Sequence, residues 1–208
     1  MSEMVKNLPE WLSVSRETQT KLQQLLDLLC RWNRTINLVS TNSLHQGWTR
    51  HILDSAQLWT VSRTTGGTWL DLGSGGGLPG LVIALIAKEK DPLMRLKLVE
   101  SDQRKCVFLS EAARQLALDV NICNHRIEDL GTCAASVVSA RALAPLAVLI
   151  GHAKLQLSQT GVALFPKGQN FGAELASARE QWHFDCEVIE SRTESTAVVL
   201  RIENIEHV

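Results

Sequence analysis

Residues 69–80 read WLDLGSGGGLPG, an apolar run that ends in an acid and then breaks into a glycine-rich loop. A second apolar run, residues 81–87, follows at once. This order is typical of a buried strand, a tight turn and the start of a helix. Glycine tolerates positive φ and lets a ligand approach the backbone, and a helix start offers unpaired N–H groups. The loop is therefore predicted to hold a nucleotide-like ligand.

From residue 68 onward, patterns of strands and helices alternate along the chain. Strand patterns cover residues 68–72, 95–100, 119–123, 136–139, 161–165, 184–190 and 196–202, and helix patterns cover residues 79–88, 103–117, 145–157 and 172–181. This alternation predicts an α/β fold in which helices cover both faces of a mostly parallel, seven-stranded sheet. The last two strands predict an antiparallel hairpin at one edge. Residues 1–64 predict an N-terminal helical extension, followed by a main domain at residues 65–208.

The composition narrows the functional class. The chain has 208 residues and a formal net charge of -1, so bulk electrostatic attraction alone does not point to nucleic acid. Its five cysteines form no C-x-x-C pair, which argues against a zinc site, and their scattered, odd number suits a reducing compartment. No apolar run reaches the about 18 residues of a membrane span, and the first residues lack a signal-peptide pattern. We therefore expect a cytoplasmic protein with no metal and no membrane contact.

The residues around the loop favour one class of nucleotide-like ligand over another. Gly75, Gly77 and Gly80 match the G-x-G-x-x-G fingerprint of dinucleotide folds, which leaves an NAD-linked oxidoreductase as one alternative. Asp71 weighs against it, because a carboxylate at the strand end repels a pyrophosphate and favours an ammonium group. Glu100, at the end of the second strand, is placed to accept hydrogen bonds from ribose hydroxyls. These features favour a cationic nucleoside without phosphate, and S-adenosylmethionine fits that description.

Several blocks of sequence are more specific than the glycines alone. They read RHILDS at residues 50–55, GLPG at 77–80, RIE at 126–128, SARA at 139–142 and PKG at 166–168. Their order and spacing resemble the RsmG family, also called GidB, of bacterial methyltransferases that modify guanine N7 in 16S rRNA. One difference lies near the C-terminus, where the family often has an arginine and this chain reads EST at residues 194–196.

The resemblance implies the Rossmann-like fold of class I methyltransferases, which depend on S-adenosylmethionine. It also implies an N-terminal helical extension to that fold. The acceptor would be a guanine in a conserved loop of 16S rRNA near the decoding centre, within the small ribosomal subunit. The methyl donor would be bound by Asp71, Gly73, Gly75, Leu78, Glu100, Ile127, Glu128 and Arg141.

Two cations are the candidate catalytic residues, Arg141 and Lys167. Attack by guanine N7 needs no general base, so these residues are expected to position the base. The alternatives are a structural ion pair of Arg141 with Asp71 or Glu128, and a merely exposed turn lysine at 167. Contacts with RNA are expected from Arg31, Arg34, Arg50, His51, Lys105, Arg126 and Lys167. A non-catalytic RNA-binding assembly factor with a vestigial donor pocket is a further alternative.

Overall fold

The computed structural model describes residues 8–208. Within that range seven strands form one sheet: β1 Thr68–Leu72, β2 Arg95–Val99, β3 Val120–Cys123, β4 Ala135–Ala140, β5 Leu157–Lys167, β6 Trp182–Glu190 and β7 Val198–His207. Their order is β3-β2-β1-β4-β5-β7-β6. Neighbours pair in parallel except β7, which is antiparallel to both β5 and β6. The predicted sheet is confirmed, with the hairpin β6–β7 at one edge.

The helices of the described range fall into two groups. Before the sheet lie α1 Arg16–Trp32, α2 Thr41–Leu44, a π-helical turn Trp48–Leu53 and α3 Asp54–Ser62. Between the strands lie α4 Gly80–Lys90, α5 Gln103–Leu116, a 3₁₀ turn Ile127–Asp129, α6 Leu146–Gln156 and α7 Phe171–Arg179. The predicted helical extension is thus helical over much of residues 16–62, whereas residues 8–15 contain only a turn. Residues 1–7, which the prediction included, lie outside the described residues.

Helix α1 anchors the N-terminal helices to the sheet domain. It begins where the Ser15 hydroxyl accepts a hydrogen bond from Thr18 N at 3.2 Å, a typical N-cap. Leu22, Leu25 and Leu29 recur at helical spacing and are fully buried, and each such burial stabilises the fold by about 2 kcal/mol. These leucines share one core with residues of α4 and α5, while a second core lies on the α6 face of the sheet. The domain boundary after residue 64 stays a prediction.

Strand β5 begins four residues earlier than predicted. It starts at Leu157, directly after α6, and its register to β4 shifts from Ala135↔Leu157 to Val137↔Val162. A bulge of this kind leaves extra residues unpaired, and the polar residues 158–160 gave no strand pattern. Gly161 is required there, because a Cβ at this position would lie 2.6 Å from the Ala135 carbonyl oxygen.

Candidate active site

The glycine-rich loop, residues 73–79, joins β1 to α4 at the carboxyl end of β1, which lies between β2 and β4 in the sheet. Gly73, Gly75 and Gly77 have φ of +64°, +53° and +75°, a region that side chains disfavour. A Cβ at Gly75 would meet only the Gly73 carbonyl oxygen, at 3.7 Å, whereas a Cβ at Gly73 would lie 2.6 Å from Leu143 Cδ1. The backbone at Gly75 is therefore open to close approach by a ligand.

Glu100 holds the loop from the neighbouring strand β2. Its Oε2 accepts a hydrogen bond from Gly75 N at 2.9 Å, and its Oε1 accepts one from Asp102 N at 2.8 Å. The residue is 7% exposed. Each carboxylate oxygen retains a second acceptor site, so Glu100 can both fix the loop and accept from ribose hydroxyls, the role predicted for it.

Asp71 lies inside the protein rather than on the open side of the loop. It is fully buried, its Oδ1 accepts from Ser139 Oγ at 2.7 Å, and its Oδ2 accepts from Gly80 N at 3.2 Å. Burial raises the pKa of Asp71 to about 6, against the opposing effect of these hydrogen bonds. A carboxylate in this place joins β1, β4 and the start of α4. We therefore replace the predicted direct contact with a ligand by a role in positioning the loop.

The other residues predicted to bind the methyl donor differ in burial and position. Leu78 is buried against the core, and its backbone N–H donates to the Ser74 carbonyl oxygen at 3.2 Å. Ile127 and Glu128 form the 3₁₀ turn after β3, next to the strand that carries Glu100. The Glu128 side chain is 68% exposed and lies 3.9 Å from His152 Nε2. These residues occupy the same edge of the sheet as the glycine-rich loop.

A cavity of about 1060 Å³ opens beside the loop, at the carboxyl ends of β4 and β5. Its wall comes from the N-terminal helices, the segment after β4, the end of β5 and the segment before β7. Leu143 lines the cavity and also covers Gly73, so the cavity and the loop share a border. The structure brings the two candidate catalytic residues, Arg141 and Lys167, into this one cavity.

Arg141 is bound to the N-terminal helices. Its Nη1 donates a hydrogen bond to the Arg50 carbonyl oxygen at 3.1 Å and lies 3.5 Å from Asp54 Oδ2. Both terminal nitrogens lie 3.5 Å from His51 Nδ1. The ion pair is therefore formed with Asp54, and neither Asp71 nor Glu128 is the partner that the alternative interpretation expected.

Lys167 is also paired, at the far wall of the cavity. Its Nζ lies 2.7 Å from Glu174 Oε2 and donates to the Ala144 carbonyl oxygen at 3.3 Å. The side chain is 10% exposed, so Lys167 is not the freely exposed turn lysine of the alternative interpretation. Glu174 Oε2 also accepts from Leu146 N at 3.1 Å, which fixes the start of α6 beside this pair.

His51 differs from the other residues predicted to contact RNA. It is 5% exposed, and its Nε2 lies 2.9 Å from Ser43 Oγ. Burial, together with the charge of Arg141, lowers the pKa of His51 to about 4. The ring is therefore neutral and packed among protein groups, so we withdraw the expectation that it contacts RNA.

The remaining RNA candidates lie at or near the surface. Lys105 is half-buried, and four arginines are exposed: Arg31, Arg34, Arg50 and Arg126. Trp32, between the first two arginines, packs edge-on against Phe108 of α5 with ring centroids 5.7 Å apart. This contact brings the end of α1 close to the helix that carries Lys105.

Sequence reasoning missed the partners that hold the two cations. Asp54 and Glu174 pair with Arg141 and Lys167, and Thr193 donates to Asp54 Oδ1 from a loop far along the chain. Asp54 lies within the RHILDS block and could have been suspected from it. No local pattern marks Glu174 or Thr193.

Residues 8–208 contain no group of three or more histidine, cysteine, aspartate or glutamate side chains placed to hold a metal ion. Among the helices of that range, none is both long and apolar enough to cross a membrane.

Solved structures resemble the fold at low sequence identity. A TehB-like SAM-dependent methyltransferase from Corynebacterium glutamicum has a TM-score of 0.59 at 15% identity, over 88% of this chain and 98% of that one. TYW2 from M. jannaschii, in complex with AdoMet, has a TM-score of 0.56 at 14% identity, over 84% and 80% of the two chains. The class I methyltransferase fold is thereby confirmed.

Protein relatives match at much higher identity. "Ribosomal RNA small subunit methyltransferase G" of Cereibacter sphaeroides is 50% identical over 208 residues, 100% of both chains. The protein of the same name from Granulibacter bethesdensis is 47% identical over 201 residues, 97% of this chain and 92% of its own. The model of the GidB family, described as rRNA small subunit methyltransferase G, matches residues 18–201. The predicted resemblance is confirmed, and the chain belongs to the GidB family.

Proposed function

We propose that this chain transfers a methyl group from S-adenosylmethionine to N7 of a guanine in 16S rRNA, near the decoding centre of the small ribosomal subunit. The observation that carries the proposal is the shared border between the glycine-rich loop and the cavity that holds Arg141 and Lys167. A methyltransferase needs a donor site and an acceptor site that meet at one point. In this proposal that point is at Leu143, which lies against Gly73 on one side and lines the cavity on the other.

The donor site fits a nucleoside without phosphates. Gly75 leaves its backbone open, Glu100 keeps acceptor sites for ribose hydroxyls, and Glu128 presents an exposed carboxylate. When bound, S-adenosylmethionine supplies an electrophilic methyl group on a sulfonium. The backbone of the loop and the 3₁₀ turn hold the donor in this proposal, with Gly73, Leu78 and Ile127 contributing main-chain contacts. Asp71 fixes the loop from inside.

The acceptor chemistry demands orientation more than proton transfer. Guanine N7 carries a free lone pair at neutral pH, so the chain must align N7 with the methyl group and exclude water. Arg141 and Lys167 each hold a fixed place beside a carboxylate, and we assign them to O6 or a neighbouring phosphate. His51 is neutral and has no proton to remove. The guanine must leave its stack, or be presented already splayed, for N7 to reach the methyl group.

The RNA around the guanine is held by exposed basic residues, of which Arg50 lines the cavity. Arg31, Arg34, Arg50, Lys105 and Arg126 are assigned to phosphates, which position RNA without reading its sequence. The net charge of -1 favours a structured ribonucleoprotein particle over naked RNA, because little affinity is available from bulk attraction. The small ribosomal subunit in the cytoplasm is such a particle.

The proposal is tested with small subunits from cells that lack this gene. The protein and S-adenosylmethionine should produce one N7-methylguanine in 16S rRNA, mapped by borohydride–aniline cleavage and primer extension. Lys167→Ala should abolish turnover, whereas near-normal turnover would refute its assigned role. Binding to the subunit without methyl transfer would instead indicate an assembly factor. Family membership removes the support for the NAD-linked alternative, which calorimetry with both ligands checks directly.

A further inference from the structure

Asp54, at the start of α3, joins three separate parts of the cavity wall. Its Oδ1 accepts hydrogen bonds from Gln57 Nε2 and from Thr193 Oγ1, both at 2.8 Å. Its Oδ2 lies 3.5 Å from Arg141 Nη1. The side chain is 20% exposed, so the carboxylate lies at the surface of the cavity and is not part of the core.

The segment between β6 and β7, residues 191–197, is hydrogen-bonded to α3 through the side chains of Asp54 and Gln57. Gln57 Oε1 accepts from Arg192 N at 2.9 Å, and Gln57 Nε2 donates to Ser191 Oγ at 3.3 Å. Ser191 N donates to the Ala197 carbonyl oxygen at 3.0 Å and closes the segment into a loop. Thr193 lines the cavity, so the position of this loop sets the width of the acceptor site.

Arg141 depends on the same carboxylate for its charge balance. The guanidinium is largely buried, with 20% of its side chain exposed, and its other neighbours are the Arg50 carbonyl and the neutral His51 ring. Burial of a cation is costly unless a counter-charge lies close by. Asp54 supplies that counter-charge from Oδ2, while Oδ1 holds the loop.

We propose that Asp54 is a positioning residue for the acceptor: it sets the orientation of Arg141 and pins residues 191–197 as one wall of the acceptor site. The inference rests on the proposed function, because it assigns this cavity to the RNA base. The resemblance also names Arg141 as a donor-binding residue, but its guanidinium lies in the acceptor cavity against the Arg50 carbonyl and Asp54. We assign Arg141 to the acceptor instead, so Asp54 controls the use of the ribosomal substrate and leaves the binding of the methyl donor unchanged, since the donor loop is held by Glu100 and Asp71.

The test compares Asp54→Asn with variants that separate the two halves of the role. Asparagine keeps Oδ1 as an acceptor for Gln57 and Thr193 and removes the charge that faces Arg141. Thr193→Val removes the hydrogen bond from the loop to Asp54, together with the contact between Thr193 Oγ1 and Ser191 Oγ at 3.1 Å, and leaves the charge of Asp54 in place. Asp54→Glu restores the charge. Asp119→Asn, an exposed position at the start of β3, is the matched control.

Steady-state kinetics with small subunits and calorimetry with S-adenosylmethionine give the decisive comparison. For Asp54→Asn we expect kcat/KM for the subunit to fall about tenfold or more, because a buried charge loses its partner. The dissociation constant of S-adenosylmethionine should stay within about twofold. Thr193→Val should lower kcat/KM by about threefold, Asp54→Glu should recover part of the loss, and Asp119→Asn should match the unmodified protein.

Limited trypsin digestion adds a local readout when cleavage after Arg192 is compared with cleavage at the other lysines and arginines, because a general loss of stability accelerates all of them together. Arg192 lies in the pinned loop, over the ring of Trp11 at 5.2 Å, and cleavage after it should be faster in Thr193→Val than in Asp119→Asn. Unchanged kcat/KM in Asp54→Asn would overturn the proposal, and so would equal losses of donor binding and turnover. Should Asp54→Asn not fold, an unchanged trypsin rate and turnover in Thr193→Val would overturn it as well. Failure of the unmodified protein to methylate any subunit would refute the proposed function itself.

Discussion

Replacing Glu100 with glutamine tests the hydrogen bonds that hold the glycine-rich loop. The carboxylate accepts from Gly75 N and Asp102 N through separate oxygens, at 2.9 Å and 2.8 Å. Glutamine has one acceptor oxygen and one NH₂ group, so one of these backbone N–H groups loses its partner. A hydrogen bond to a charged group contributes about 1.5–3 kcal/mol, which corresponds to about 10- to 150-fold in a dissociation constant.

The assay is isothermal titration calorimetry with S-adenosylmethionine. Glu100→Gln should weaken binding by that factor, while thermal unfolding shows that the sheet stays folded. Glu17→Gln is the matched control, because that side chain is 77% exposed and lies on α1. A dissociation constant within about twofold of the unmodified protein would refute the assignment of Glu100 to the donor site.

Three more predictions follow from named contacts. Burial raises the pKa of Asp71 to about 6 from an ordinary value of 3.8, so the folded protein holds this proton more tightly than the unfolded chain. The free energy of unfolding should therefore fall by up to about 3 kcal/mol as the pH rises from 4 to 6. Urea titrations should show a smaller fall for Asp71→Asn. Burial acts to raise the pKa of Glu89, but hydrogen bonds from Thr18 and Ser15 lower it to about 2. The stability from this contact is complete above about pH 4.5 and is lost as the pH falls toward 2. Glu89→Gln should lower the free energy of unfolding by about 1 kcal/mol at pH 7, a small value because the side chain is partly solvated. The stability of this variant should not change through that acid range in the way that the unmodified protein's does. Gly75→Ala should lower the free energy of unfolding by about 1–2 kcal/mol, because φ is +53° at this position and no atom blocks the added methyl group. Calorimetry should show that the variant no longer binds S-adenosylmethionine. Intact binding would contradict the close approach of the donor to the Gly75 backbone.

The sheet and the donor loop could be predicted because their signals are local. Apolar runs of strand length alternate with helical spacing, and glycines stand where the backbone needs positive φ at Gly73, Gly75 and Gly77. The start of β5 was missed, since residues 158–160 are polar and the bulge after Leu157 leaves them unpaired with β4. Burial of Asp71 was also missed, because a strand-end acid looks the same in sequence whether it faces a ligand or the protein.

The acceptor site could be predicted only in part, because its partners are distant in sequence. Arg141 and Lys167 stood out as cations in family-like blocks. The hydrogen bond of Thr193 to Asp54 spans 139 positions, and only the folded sheet brings the β6–β7 loop against α3. His51 is predicted to contact RNA because it lies among basic residues, and its burial beside Arg141 overrides that expectation.

The central claim is methyl transfer to one guanine of 16S rRNA at N7. Small ribosomal subunits from cells that lack the gene, incubated with the protein and radiolabelled S-adenosylmethionine, measure it most directly. We expect a single methylated guanine per subunit at saturation, mapped near the decoding centre by borohydride–aniline cleavage. Incorporation at another atom, into protein, or not at all would contradict it.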